Sequence, residues 1–156
     1  MSKKLDNMNV VANNSRATYE YFIQERIEAG LVLTGTEVKS LRQGKGSIIE
    51  SHVAELDGIL CLLGVDIPEY DKARLSSHGA RRPRKLLMHK RQIEKISGQI
   101  KLKGMTLIPL KIYFNQRNLA KVELGLAKGK KQHDKRQAVK EREWGREKAR
   151  LNKHVE

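Results

Sequence analysis

Between Ile108 and Leu126 the chain carries two apolar–polar alternations joined by a short polar segment. Ile108, Leu110, Ile112 and Phe114 alternate with Lys111 and Tyr113. After Asn115-Gln116-Arg117-Asn118, the positions Ala120, Val122, Leu124 and Leu126 alternate with Lys121 and Glu123. Successive side chains of a strand point to opposite faces, so this period of two predicts an antiparallel hairpin with one buried face. Pro109, which has no N–H to give a ladder, belongs at a sheet edge or a bulge.

Upstream signals extend the β pattern. Tyr19, Tyr21 and Ile23 alternate with Glu20 and Gln24, predicting a half-buried strand that Gly30 interrupts before Leu31-Val32-Leu33. The runs Ile48–Leu56 and Ile59–Val65 flank Asp57-Gly58, a pair suited to a tight hairpin because both turn residues need positive φ. Thr34 and Glu37 have the spacing of a capping box, with Gly44 closing a short helix. Ile93, Ile96 and Ile100 recur at helical spacing before Gly104, while Leu75 to Pro83 has no period and reads as an exposed loop. About five or six antiparallel strands with two or three short helices suit a small closed barrel of OB type. An open α+β sheet is the alternative. The expected organisation is a flexible leader at 1–13, a barrel at 14–127 and a basic tail at 128–156.

Charge narrows the partners. Of 156 residues, 32 are Lys or Arg against 18 Asp or Glu, a net charge of +14. From Lys128 onward, eleven Lys or Arg and five Asp or Glu occur among almost no core-forming residues. Charge of this density points to nucleic acid. A lipid surface is disfavoured, because the tail lacks a strong apolar face and no run approaches the length of a spanning helix. The polar N-terminus has no signal-peptide pattern, and a single cysteine, Cys61, suits a reducing cytoplasm. Within the tail, Asp134 and Gln137 have the spacing to cap a helix starting near Lys135, with Trp144, Leu151 and Val155 on a thin stripe. Such a helix is marginal in water, so the tail is expected to be disordered when free and to fold on binding.

Candidate chemistry is sparse. Five scattered histidines lack metal-site spacing, and no nucleophile elbow, phosphate loop or acid–base pair stands out. No cofactor, metal or catalytic residue is expected. The segment Arg81-Arg82-Pro83-Arg84-Lys85-Leu86-Leu87-Met88-His89-Lys90-Arg91 instead combines six Lys or Arg with apolar residues and no acid. It is suited to gripping phosphates while offering Leu87, Met88 and His89 to looped-out bases.

Four separated segments, taken in order, resemble a known family. Glu28-Ala29-Gly30-Leu31, Gly35-Thr36-Glu37-Val38-Lys39-Ser40-Leu41-Arg42, Arg82-Pro83-Arg84-Lys85-Leu86-Leu87 and Gly125–Arg136 are similar to those of bacterial small protein B, the SsrA-binding proteins. The likeness runs from about Asn14 to near the C-terminus. It implies an OB-type barrel and an adaptor without catalytic activity. Such an adaptor binds the tRNA-like domain of tmRNA and joins elongation factor Tu in delivering alanyl-tmRNA to stalled ribosomes. By motif match, Tyr19, Glu28, Leu87 and His89 are implied to meet the tRNA-like domain, beside the cations Arg82, Arg84 and Lys85. Lys130, Lys131, Asp134, Lys135 and Arg136 match the tail segment that enters the decoding region of the small-subunit RNA. Trp144 lies on the part that becomes helical in the empty mRNA path. Two departures are Asn14-Ser15-Arg16-Ala17, one cation short of the family pattern, and Ala80 where a proline is frequent. The competing functions are an RNA-processing enzyme on a basic barrel and a structural ribosomal protein.

Overall fold

The computed structural model describes residues 9–71, 78–130 and 132–154, with the side chains of 132–134 and 153–154 left aside. The elements, in order, are β1 (Asn9–Asn13), α1 (Ala17–Glu20), β2 (Tyr21–Leu31), α2 (Gly35–Arg42), β3 (His52–Leu56) and β4 (Ile59–Leu63). They continue with β5 (Arg84–Leu87), α3 (Lys90–Lys103), β6 (Thr106–Phe114), β7 (Ala120–Gly129) and α4 (Gln132–His154). Seven antiparallel strands form one sheet in the order β1-β6-β7-β2-β5-β4-β3.

The expected hairpins are present for the expected reasons. Asp57 and Gly58 both take positive φ, 50° and 78°, between β3 and β4. At the β6–β7 turn Asn118 has φ 60°, and Asn115 Oδ1 accepts from the N–H groups of Arg117 (3.0 Å) and Leu119 (2.9 Å). The capping box of α2 is complete: Thr34 accepts from the Glu37 N–H, and Glu37 Oε1 accepts from the Thr34 N–H at 2.9 Å. Gly104, with φ 61°, ends α3 in the left-handed region.

Three expectations need correction. The leader ends earlier than residue 13, because Asn9–Asn13 pairs with β6 across a bulge at Val10/Ala12; residues 1–8 lie outside the described set. Tyr19 belongs to the short helix α1, so β2 starts at Tyr21. The sheet is mainly β and strongly bent, but hydrogen bonds do not close it. β1 and β3 are its two ends, and no ladder joins them among the described residues. Helix α3 lies against the sheet: Ile96 and Ile100 share a small hollow with Val53 of β3, Leu60 of β4 and Leu107 of β6.

The alternation along β6 also changes phase. A bulge between Pro109 and Lys111 adds one residue on that strand, which turns the side chains after it to the opposite face. Leu107, Ile112 and Phe114 therefore lie in the main core with Ile27, Leu41, Leu62, Leu86, Val122, Leu124 and Leu126. Ile108 and Leu110 instead join a second cluster with Ala17 of α1 and Ala127. Asn14 serves the bulge: its Nδ2 donates to the Pro109 carbonyl (3.0 Å) and its N–H to that of Leu110 (2.8 Å). This second cluster seats α1, and α1 in turn meets α4.

Candidate nucleic-acid interface

Where β2 and β5 run side by side, Gly30 stands opposite Leu87. A Cβ at Gly30 would come within 3.1 Å of the Leu87 Cβ, so a bare backbone lets the two strands close up there. Leu87 itself is 53% exposed. Around it opens a cleft of about 420 Å³ lined by Glu28, Gly30, Leu87, Met88, His89, Gln92 and Lys121. Glu28 comes from β2, Leu87 from β5 and His89 from the N-cap of α3. His89 makes no side-chain capping bond to α3 and is exposed. The fold thus brings together three of the four residues that the motifs implicated, all but Tyr19, although 61 positions separate Glu28 from His89.

An exposed apolar side chain between hydrogen-bonding groups is what an unstacked base requires: an apolar surface for its face and polar partners for its edge. Gln92 and Lys121 complete the lining and were not singled out from sequence. Gln92 lies one helical turn beyond His89, and Lys121 pairs with Gly30 across β2 and β7, so both positions follow once the strand order is known.

Not every cation of the Arg81–Arg91 segment serves this surface. Strand β5 alternates, with Arg84 and Leu86 buried and Lys85 and Leu87 exposed. Arg84 is fully buried. Its Nε donates to Glu37 Oε2 (2.5 Å), its Nη1 to the Val65 carbonyl (2.8 Å) and its Nη2 to the Ala80 carbonyl (3.0 Å). Arg82 is half-buried and donates to the other oxygen of Glu37. The expectation that Arg82 and Arg84 grip phosphate is corrected: both guanidiniums neutralise one buried carboxylate. Burial raises the Glu37 pKa, but the bonds from Arg82, the Thr34 N–H and Arg84 outweigh it and hold the carboxyl below its usual range. Burial also lowers the Arg84 pKa, partly offset by Glu37.

In the described end of the loop before β5, Gly79, Arg81 and Pro83 are exposed as expected, but one residue is anchored inside. Residues 72–77 lie outside the described set, but His78 is buried: its Nδ1 meets the Thr36 hydroxyl at 2.9 Å and its Nε2 the Ile67 carbonyl at 2.8 Å. With a carbonyl as partner, Nε2 carries the hydrogen and donates.

The tail root forms a separate site. Lys130 Nζ donates to the Thr18 carbonyl at 2.8 Å and lies 4.8 Å from the Phe22 ring centre. The Lys130 N–H donates to the Glu20 carbonyl at 2.9 Å. Tyr19 is half-buried beside this root, with the Arg142 guanidinium 5.9 Å from its ring centre. The structure groups Tyr19 with the tail and not with the cleft. Lys131 lies outside the described residues, and Asp134 is described only as part of α4. Lys135 is half-buried and Arg136 exposed, while every residue from 141 to 150 is exposed, Trp144 at 67%. The tail, expected to be disordered when free, is one helix of 23 residues here.

A family model described as SmpB protein matches residues 11–154. The chain belongs to the SmpB family. A relative named SsrA-binding protein from Rickettsia peacockii (strain Rustic) is 55% identical over 142 residues, spanning 91% of this chain and 93% of that one. Its counterpart in Rickettsia bellii (strain OSU 85-389) is 54% identical over the same length, spanning 91% of this chain and 94% of its own. A chain from a solved structure described as "tmRNA-SmpB: a journey to the center of the bacterial ribosome" matches with a TM-score of 0.64 at 47% identity. That match covers 81% of this chain and 92% of the other. Among the described residues no helix is long and apolar enough to cross a membrane, and no three His, Cys, Asp or Glu gather as a metal site.

Proposed function

We propose that this protein is a tmRNA-binding adaptor of trans-translation that performs no chemical step itself. The observation carrying this reading is the cleft of Glu28, Leu87 and His89, assembled from three elements in a member of a family whose relatives are named SsrA-binding proteins. The bent sheet, an OB-type barrel without its last ladder, presents this cleft to the tRNA-like domain of tmRNA. Leu87 offers an apolar face, and Glu28 accepts from base amino groups. A carboxylate repels phosphate, so its presence favours a base edge over the backbone. Exposed Lys85 and half-buried Lys121 supply the attraction to phosphate that sequence-independent affinity needs.

The tail acts at the ribosome in the cytoplasm, after elongation factor Tu has delivered alanyl-tmRNA. Lys131, Asp134, Lys135 and Arg136 meet the decoding region from the root that Lys130 fastens to α1, and Trp144 lies with the helix in the empty mRNA path. The helix is weak by itself. Arg142 and Arg146, Glu143 and Glu147, and Arg146 and Arg150 are like-charged pairs four apart, and Gly145 interrupts the centre. RNA-lined walls stabilise it on binding, and in the free protein it melts beyond its docked root.

Changing Lys131, Asp134, Lys135 and Arg136 together to Ala tests the division of labour. The variant is expected to bind tmRNA normally in a gel shift and to lose tagging of stalled peptides in reconstituted translation. Normal tagging would overturn the decoding role, and loss of tmRNA binding would overturn the separation of body and tail. Sharp random-coil NMR signals are expected beyond Arg142 in the free protein; slow amide exchange there would contradict folding on binding.

A further inference from the structure

We infer that Tyr113 is a positioning residue that fixes the Glu28 carboxylate for RNA recognition, an inference that rests on the cleft's being the RNA site. Glu28 stands on β2 opposite Glu123 of β7, and Tyr113 stands one strand further away on β6, opposite Lys121. Neighbouring strands lie about 4.8 Å apart, so the backbones of β2 and β6 are roughly 10 Å apart. The Tyr113 phenol crosses β7 to bridge that distance, and its hydroxyl donates to Glu28 Oε2. Tyr113 is 2% exposed, while Glu28 is exposed and lines the cleft. The bond therefore joins a fixed interior donor to a side chain that would otherwise turn freely in solvent.

The surroundings leave Glu28 available for a further partner. Glu123 is already engaged, by Arg26 at 2.7 Å and Lys111 at 3.2 Å, so the carboxylate beside Glu28 is neutralised. Glu28 Oε1 has no hydrogen bond among the described residues. Burial, together with the Glu28 acceptor, raises the Tyr113 pKa, which keeps the phenol protonated as a donor. One oxygen of Glu28 is thus held from inside the protein and the other is left to accept from an amino group. A freely rotating glutamate would lose rotamer freedom when RNA docked, a cost of about two- to tenfold in affinity. Tyr113 removes that cost before binding.

A buried phenol would find some acceptor even if it had no part in binding, so the test is coupling in RNA affinity. An RNA carrying the tRNA-like domain of tmRNA is titrated against the wild-type full chain, Tyr113→Phe, Glu28→Gln and the double variant. Tyr113→Phe is expected to weaken binding about two- to tenfold without changing the salt slope, and Glu28→Gln to weaken it more. The double variant is expected to be no weaker than Glu28→Gln alone. Additive losses, or wild-type affinity for Tyr113→Phe beside a weakened Glu28→Gln, would overturn the positioning role and leave the cleft as the RNA site. Wild-type affinity for Glu28→Gln would overturn the cleft reading itself. Glu28→Asp keeps the charge but shortens the reach to Tyr113, and it is expected to bind like Tyr113→Phe. Wild-type affinity for Glu28→Asp would also overturn the positioning role, even if Tyr113→Phe proved unstable.

Discussion

The two most basic stretches of this chain use their charge in opposite ways. In the segment before α3, Arg82 and Arg84 turn inward onto Glu37, and Arg84 also satisfies backbone carbonyls of two loops. In the tail, every cation from Lys140 to Arg150 is exposed. Similar composition therefore yields a fastener in one place and an exposed cationic surface in the other. What separates them is a buried partner: a single interior carboxylate converts two cations from ligand-facing to structural. Charge counted along a sequence overstates the charge that a ligand meets.

The largest effect should come from breaking the fastener. Removing one member of a buried, hydrogen-bonded ion pair leaves the other uncompensated, so Glu37→Ala or Arg84→Ala should cost about 3–5 kcal/mol in a denaturant melt. A loss below about 1 kcal/mol would place the pair with weak surface bridges. The pair should also be sensitive to acid. The Glu37 carboxyl lies below its ordinary value in the fold, so its contribution is complete above about pH 4.3, the unfolded value, and is lost as pH falls through the folded one. The stability gap between wild type and Glu37→Gln should accordingly narrow below about pH 4.

The next test asks which cations of β5 meet RNA. Lys85→Ala should flatten the slope of log affinity against log salt by roughly 0.7–0.9, whereas Leu87→Ala should weaken binding with the slope unchanged. Equal slopes for wild type and Lys85→Ala would leave no cation of β5 facing phosphate. The smallest effect concerns the other basic stretch. Gly145→Ala should favour α4 by about 1 kcal/mol and raise the far-UV helical signal of the free protein. An unchanged signal would mean that the tail is already fully helical in solution.

Local chemistry was largely legible in the sequence. The Asp57-Gly58 turn, the Thr34–Glu37 capping box, the Gly104 stop and the β6–β7 hairpin each depend on residues close together in the chain. β1 was missed because Val10, Val11 and Ala12 show no alternation, and its pairing with β6 depends on a partner about a hundred residues away. The phase change in β6 was foreshadowed by Pro109, which pointed to a bulge without saying which side chains it would reverse. Arg84 was misread although its clue was local: with Leu87 facing outward, a residue three positions earlier on the same strand must face inward. Its partner Glu37 could not be named from spacing, because the capping box already accounted for that glutamate.

The anchoring of Lys130 on α1 gives the tail a bearing as well as an origin. At about 1.5 Å per residue, the 23 residues of α4 reach roughly 35 Å when the helix is intact. A rod fastened at one end turns the angle of its mount into the position of its tip. On the proposed reading, RNA held at the cleft decides, through the end of β7 and α1, where the far end arrives. The protein can act as a gauge between two distant surfaces, and loosening the Lys130 bracket would blur that measurement while leaving both gripping ends intact.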